Sequence, residues 1–402
     1  MKRMKIDLNQ YEYNLPEEMI AQFPLPDRSS SKLLIYKNGN ISENKFSNVC
    51  DYIANDSFLI FNNTKVINAR MFFKKKTGAK IEIFCLEPAG MGVEKAFART
   101  DECEWNCMVG NAGKWRDEAL EKEFTFEGKK GILFAKKTGN TDDGFVIKFY
   151  WDGAYSFSDV MHDAGTTPLP PYIKRYAEDT DSERYQTVFA EVEGSVAAPT
   201  AGLHFTEDIL GKLKDRNITY DFLTLNVGAG TFKPMKTDNV YEHKMHKESF
   251  SVKKNFLQKL LDSIDKNKAA VGTTSVRTLE SLYWLGVLPD KIVNDNFNLE
   301  QWEVYDYTNK ELPDTETAIR NLILYLEKNN MNVIEGTTSL MIVPGYKFKF
   351  VDIIITNFHL PSSTLLLLVS AYLGEDWKRV YDYALKNDFR FLSYGDSSIL
   401  IR

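Results

Sequence analysis

Cysteine is scarce. Four thiols, Cys50, Cys85, Cys103 and Cys107, in 402 residues cannot build a disulfide framework at this length, which predicts a reducing compartment, the cytoplasm. Cys103 and Cys107 also lack a third cysteine at iron–sulfur spacing. Long apolar runs are missing: the longest, residues 365–369, is far too short to cross a bilayer. The basic residues within 1–7 are not followed by an apolar stretch, so neither a membrane span nor a signal peptide is predicted. Nor is there a basic excess. Fifty Lys and Arg against 56 Asp and Glu leave a charge of −6, which excludes a globally basic nucleic-acid binder but permits local patches such as Lys74-Lys75-Lys76. A metal set is lacking as well. His243 and His246 have no third ligand at motif distance, and no metal is expected.

What is there is an ordinary globular composition, 43% hydrophobic and 13% aromatic, in a chain long enough for two domains. Pro16 opens a short helix over 16–22, and a strand over 32–36 closes on Asn38-Gly39. Phe46, Val49 and Ile53 keep helical spacing, and a buried strand over 58–61 runs into Asn62-Asn63-Thr64-Lys65. After Arg70 the character changes. Runs at 80–86, 104–109, 123–126, 131–135 and 145–151 are β-type with turn residues between them, which predicts a small antiparallel β-barrel inserted over 71–151. Helices return at 158–164 and 181–193, the latter with a stripe of Tyr185, Val188, Phe189 and Val192. Helices at 207–216, 253–265, 276–285 and 364–372 then alternate with strands at 219–225, 269–271 and 351–355. The expected fold is α/β, a mixed-sheet core built from 1–70 and 152–402 around the inserted barrel, with chemistry at the loops that leave the strands.

Five stretches stand out as candidates for that chemistry. The segment 194–205, Gly-Ser-Val-Ala-Ala-Pro-Thr-Ala-Gly-Leu-His-Phe, is small and uncharged apart from His204, and it precedes a helix capped by Thr206. Backbone can approach a ligand closely there, or the stretch is a packed turn between two helices. The glycine loop 225–232 begins like a dinucleotide fingerprint, but Lys233-Pro234 stand where a helix should open, so that reading fails. In 271–280, Gly272 precedes Thr273, Thr274 and Ser275, of which capping explains one, and Arg277 opposes the helix dipole unless an anion is bound. The loop 356–363 carries His359, which can equally be a satisfied buried histidine. The turn 391–396 carries Asp396.

Taken together these segments resemble the S-adenosylmethionine:tRNA ribosyltransferase-isomerase family of queuosine biosynthesis. The likeness also takes in residues 61–70, Leu169-Pro170-Pro171-Tyr172-Ile173-Lys174-Arg175 and Tyr185-Gln186-Thr187-Val188-Phe189, in the family's order over nearly the whole chain. The resemblance implies transfer and isomerisation of the ribosyl part of S-adenosylmethionine onto 7-aminomethyl-7-deazaguanine at a tRNA wobble position, with adenine and methionine leaving. The cofactor expectation is none, because S-adenosylmethionine is consumed as a substrate. The expected partners are that tRNA and S-adenosylmethionine, without a membrane and with a monomer as default. Two features depart from the family: Lys32 replaces a common arginine, and the segment 288–332, with a helix bearing Ile319, Leu322, Ile323 and Leu326, is long. A lid, a tRNA contact and a surface elaboration are the alternatives for it, the last being the default.

The implied chemistry assigns roles. His204 is the leading acid/base candidate, followed by His359 and Asp396, the last alternatively holding the aminomethyl ammonium. Arg277 or Arg28 is expected on the methionine carboxylate. Thr200, Gly202, Gly228, Gly230, Thr231, Thr273, Thr274 and Ser275 are expected around S-adenosylmethionine. For tRNA the expectation is a strip of Arg70, Lys74, Lys75 and Lys76 with Asn62, Asn63 and Thr64, the wobble base leaving its stack to enter the site. Two competing readings are a methyltransferase using the same substrate and a non-catalytic RNA-binding protein.

Overall fold

Strands covered on both faces need apolar residues at every position, which is how 58–61 and 353–355 read. The computed structural model describes residues 6–116, 118–141, 144–228, 235, 239–307 and 310–402. Those apolar runs form the middle of a ten-stranded mixed sheet. Its order is Asn298–Leu299, Val333–Thr338, Glu248–Lys253, Thr219–Leu225, Phe58–Asn62, Lys268–Val271, Ile353–Asn357, Ser397–Ile401, Lys32–Lys37 and Asn40–Lys45. Alternation divides each strand between two layers. Phe58 and Ile60 join the larger core, under helices Lys254–Asp262, Thr273–Val287, Thr315–Lys328 and Thr364–Leu373. Leu59 and Phe61 face the other way, onto Phe46, Val49, Ile209 and Leu213.

A second, curled sheet of seven antiparallel strands has the order Gly165–Thr166, Arg70–Lys74, Lys80–Pro88, Glu102–Gly110, Gly144–Trp151, Lys129–Thr141 and Leu120–Phe126. Its last strand returns towards an early one, where Lys122 Nζ donates to the Phe72 carbonyl at 3.3 Å. Its interior, with Phe73, Ile83, Trp105 and Phe149, is closed by Phe157, Val160 and Met161 of helix Phe157–Ala164.

The predicted helix over 181–193 does not form. Only Asp181–Arg184 is helical, and Val192–Ser195 pairs in parallel with Thr64–Val66. The apolar stripe divides because Tyr185 packs with Leu203 and Tyr394, whereas Phe189 packs at a tilt against Phe61, with ring centroids 4.8 Å apart. Gln186 then locks the turn, accepting from Val66 N–H at 3.0 Å and donating to its carbonyl at 2.7 Å. The stretch 194–205 therefore links a strand to the 3-10 helix Thr200–His204, rather than two helices. The long segment 288–332 is built into the fold. Leu299, Val304, Leu322 and Leu326 belong to the larger core, and Asn298–Leu299 extends the sheet beside Val333–Thr338. Lys32 is structural, its Nζ donating to the Asn387 carbonyl at 2.7 Å. Among the described residues no helix is long and apolar enough to cross a membrane.

Candidate functional site

Four neighbouring strands, Thr219–Leu225, Phe58–Asn62, Lys268–Val271 and Ile353–Asn357, run parallel, so their carboxyl ends share one edge. Crevices outside such an edge are where α/β sheets bind ligands. Strands Ser397–Ile401 and Lys32–Lys37 both begin there, with Ser397 opposite Asn357 and Leu33 opposite Ser397. Loops far apart in sequence are thereby assembled at one edge.

A cleft of about 680 Å³ opens at this edge, lined by Tyr172, Pro199, Thr200, Gly272, Thr273, Thr274, Thr356, Asn357, His359 and Ser393 among others. Among the described residues no Asp, Glu, Lys or Arg lines it. Gly272 takes φ +88, open to glycine at little cost, and its N–H donates to the Ile355 carbonyl at 2.8 Å. Helix Thr273–Val287 starts at once, without a side-chain cap. The hydroxyls expected to cap it turn elsewhere: Ser275 donates to the Val271 carbonyl at 2.7 Å, and Thr274 Oγ1 lies 3.4 Å from Asn62 Nδ2. A helix N-terminus without a side-chain cap thus lines the cleft at Thr273 and Thr274, where the first-turn N–H groups have no partner within the helix.

His359 faces this cleft. Its Nε2 lies 3.0 Å from Thr356 Oγ1, its N–H donates to Tyr381 Oη at 3.1 Å, and its carbonyl accepts from Tyr13. Burial pushes the imidazole down to about 3, so it is neutral at physiological pH. Asn357 donates through Nδ2 to the Leu392 carbonyl at 2.9 Å, and its buried Oδ1 has no partner among the described residues. Behind the cleft is a smaller pocket of about 290 Å³ lined by Arg28, Ser31, Arg184, His204, Arg390 and Tyr394; Ser393 lines both spaces. His204 is 5% exposed, lies 2.9 Å from Ser31 Oγ through Nδ1, and packs on Phe46 at 5.0 Å. Burial pushes it down to about 4 against the pull of Asp396 and of the neighbouring Asn357 side chain, and Nε2 makes no hydrogen bond of good geometry among the described residues.

The profile of the queuosine biosynthesis protein family matches residues 8–400. The chain belongs to this family. A curated relative from Halothermothrix orenii, 37% identical over 99% of this chain and 100% of its own length, is named S-adenosylmethionine:tRNA ribosyltransferase-isomerase. Relatives from Clostridioides difficile (36%, covering 97% and 98%) and Fusobacterium nucleatum (38%, covering 99% and 98%) carry the same name. A crystal structure of S-adenosylmethionine tRNA ribosyltransferase from Thermotoga maritima is 26% identical with a TM-score of 0.47, covering 98% of this chain and 100% of that one.

Within this family member the expected residues divide sharply. Thr200, Thr273, Thr274 and His359 line the cleft, and Gly228 follows the lining residue Val227. Gly202 is a packing position, since an added Cβ would lie 2.9 Å from both Phe189 and Thr187. Gly230 and Thr231 lie outside the described residues. Arg277 does not line the cleft. It forms a buried ion pair with Glu248, so the anion that relieves its clash with the helix dipole is a side chain of the protein itself. Arg28 donates to the carbonyls of Gln186 (2.6 Å), Glu183 (2.8 Å) and Leu203 (3.3 Å), joining separate segments. Asp396 accepts from the N–H groups of Lys32 (3.0 Å) and Arg390 (2.8 Å) and anchors two chain ends instead of facing the cleft.

The residues expected at the RNA divide similarly by burial and partners. Asn62, Asn63 and Thr64 are buried. Asn62 Oδ1 accepts from Leu225 N–H at 3.0 Å, Asn63 Nδ2 donates to Glu191 at 3.0 Å, and Thr64 donates to Asn226 at 2.8 Å. They tie strand ends together. Arg70 pairs with Glu82 at 3.4 Å and Lys75 with Glu118 at 2.5 Å, leaving Lys74 and Lys76 as the exposed members of the strip. Residues given no role from sequence, Tyr172, Thr356, Asn357 and Ser393, line the cleft. The available signal was Thr356-Asn357 closing an aliphatic strand, since polar residues at a buried strand's end must find partners or ligands.

Proposed function

We propose that this protein moves the ribosyl part of S-adenosylmethionine onto 7-aminomethyl-7-deazaguanine at a tRNA wobble position and isomerises it, giving epoxyqueuosine while adenine and methionine leave. The observation that carries this reading is an uncharged cleft at the carboxyl edge of the parallel strands in a chain matched over its full length by the ribosyltransferase-isomerases. A sulfonium substrate needs no fixed carboxylate there, because its own charge acidifies the ribose carbon beside it. The N–H groups at Thr273 and Thr274 supply a partner for the methionine carboxylate. His359, neutral and beside the cleft, is the group placed to exchange a proton or hydrogen bond with the substrate, and Thr200 and Tyr172 flank the remaining space. His204 acts indirectly, through its contact with Asn357, which lines the cleft.

In this reading the chain comprises a core of 1–70 and 152–402 and an insertion at 71–151. The packing of Phe157, Val160 and Met161 onto the curled sheet favours counting helix Phe157–Ala164 with the insertion. The protein works as a cytoplasmic monomer with no resident cofactor or metal. The test is incubation with S-adenosylmethionine and an anticodon stem-loop carrying the precursor base. Free adenine and methionine are expected; S-adenosylhomocysteine would identify a methyltransferase, and RNA binding without turnover would leave only a binding protein.

A further inference from the structure

The rim beside the cleft carries a feature that the ribosyl transfer itself does not use. Two aromatic rings stand among the strongly exposed apolar side chains of the described residues, Phe23 at 52% and Tyr176 at 71%. Each has a cation over it: Arg175 Cζ lies 4.2 Å from the Phe23 centroid, and Lys80 Nζ lies 4.5 Å from that of Tyr176. Lys80 also sits 4.0 Å from Phe72, whose ring meets Tyr176 edge-on at 6.0 Å. Scattered exposed apolar residues need no explanation. Two rings that each carry a cation, on one rim and next to a cleft, are a different matter.

This rim is held firmly. Tyr172, in the same segment, lines the cleft and hydrogen-bonds Ser393 at 2.6 Å. Gln22 binds the segment twice, donating to the Tyr172 carbonyl at 3.0 Å and accepting from Lys174 N–H at 2.7 Å. The Arg175 guanidinium is gripped by both oxygens of buried Asp181, at 2.6 and 2.9 Å. Beside Tyr176 the curled sheet presents lysines, while the exposed Glu178 and Asp179 follow it in the chain. Lys74 stands opposite Lys80 across the strands, Lys122 is pushed down by burial and by Lys80, and among the described residues none of the three forms an ion pair with a carboxylate.

Resting on the proposed function, the geometry points to Phe23 and Tyr176 as stacking platforms for the unpaired nucleotides that flank the base held in the cleft, with Lys74, Lys80 and Lys122 on the phosphates of the same strand. A base drawn out of a loop leaves its neighbours without a stacking partner, and an aromatic face replaces one whatever the base. The reach is suitable: the chain from Tyr172 to Tyr176 spans at most about 14 Å, the rise of roughly four stacked nucleotides at about 3.4 Å each. Apolar peptide ligands would not call for three lysines beside the rings that, among the described residues, no carboxylate neutralises.

The experiment measures binding of an anticodon stem-loop carrying 2-aminopurine next to the wobble position. Phe23→Ala and Tyr176→Ala are each expected to weaken binding at least fivefold, and the double variant more. Tyr176→Phe retains wild-type affinity. The 2-aminopurine is quenched by the wild type and by Tyr176→Phe and brightens with Tyr176→Ala, while thermal stability and S-adenosylmethionine affinity stay unchanged. Converting Lys74 and Lys80 together to Gln lowers the slope of log affinity against log salt by about 0.7 per lost phosphate contact. Alanine variants that bind within twofold of wild type with unchanged fluorescence overturn the inference. A wild type that binds the loop through these residues but releases no adenine removes the ribosyl-transfer reading and leaves the platform standing; a wild type that binds no RNA removes both.

Discussion

The two spaces at the sheet edge share Ser393 yet differ in kind. The larger is lined by apolar side chains, hydroxyls, the Asn357 amide and one neutral imidazole; the smaller carries Arg28, Arg184, Arg390 and His204. Charge alone would mark the smaller as the anion-binding site. Its guanidiniums, however, are engaged within the protein: Arg28 holds the carbonyls of Glu183, Gln186 and Leu203, Arg184 holds those of Leu25 and Pro26, and Arg390 pairs with Asp396. Loop backbones that pack against one another bury carbonyls that must be paired, and arginine's several donors join three segments at once. The cationic pocket is therefore a staple for the loops that shape the neutral one.

The largest effect is expected behind the staple. Asp181 is 1% exposed and takes Arg175, the Glu178 N–H at 2.8 Å and Tyr394 Oη at 2.7 Å. Asp181→Ala leaves the Tyr394 hydroxyl and the Glu178 N–H without this acceptor and the half-buried Arg175 with only the carbonyls of Gln22 and Tyr176, and should lower unfolding free energy by about 3 kcal/mol in urea titrations. A loss below about 1 kcal/mol would show that the loops hold without it. Burial raises this carboxyl's pKa, but Arg175, the Glu178 N–H and Tyr394 outweigh it and hold it below the ordinary 3.8. The unfolded chain therefore binds the proton first, so this contribution is complete above pH 3.8, is lost as pH falls through the folded value, and vanishes in Asp181→Asn.

The two histidines sharpen the contrast. His359→Ala should cut kcat for adenine release about 100-fold in single turnover, the usual scale for a proton-handling group. His204→Ala should cost less than tenfold, roughly 1.4 kcal/mol; a larger loss at unchanged stability would restore it as the acid or base. Both imidazoles are held neutral, at about 4 and about 3, below the ordinary 6.5. Between pH 6.5 and those values the unfolded chain carries protons that the folded one does not. Stability must fall as pH drops through that window, by up to about 1.4 kcal/mol per pH unit for each group. His204→Gln should flatten the slope between pH 6.5 and about 4, which denaturation at stepped pH would read.

These contrasts also indicate what a sequence can and cannot yield. The strands at 58–61, 219–225 and 269–271 were legible because apolar runs between turns have few other uses, and most of the cleft comes from the stretches 197–201 and 356–365, which composition also singled out. Tyr185 to Val192 was misread because its apolar residues serve separate clusters, a distinction that helical spacing does not encode. Arg277 and Asp396 were read as ligand-facing because their partners, Glu248 and the N–H groups of Lys32 and Arg390, are distant in sequence or belong to the backbone. Residue type indicates what chemistry is available, whereas tertiary packing decides whether it is already satisfied.

The smallest effect tests the staple most directly. Arg28→Lys keeps the charge in the smaller pocket but replaces a planar fork, which reaches three carbonyls, with one ammonium on a flexible stem. If Arg28 received the methionine carboxylate, the KM for S-adenosylmethionine should rise at least tenfold, because a bidentate partner would be lost. If the guanidinium joins loops, the KM should stay within about twofold while melting temperature falls by a few degrees, the response to roughly 1 kcal/mol of lost hydrogen bonding. Thr274→Val supplies the reciprocal reading at the neutral cleft. Its hydroxyl neighbours Asn62, so losing it alters the floor beside the uncapped helix end, and there the KM should move while the melting temperature barely does. Equal KM shifts for both variants would mean that the two spaces form one binding site, with the shared Ser393 inside it.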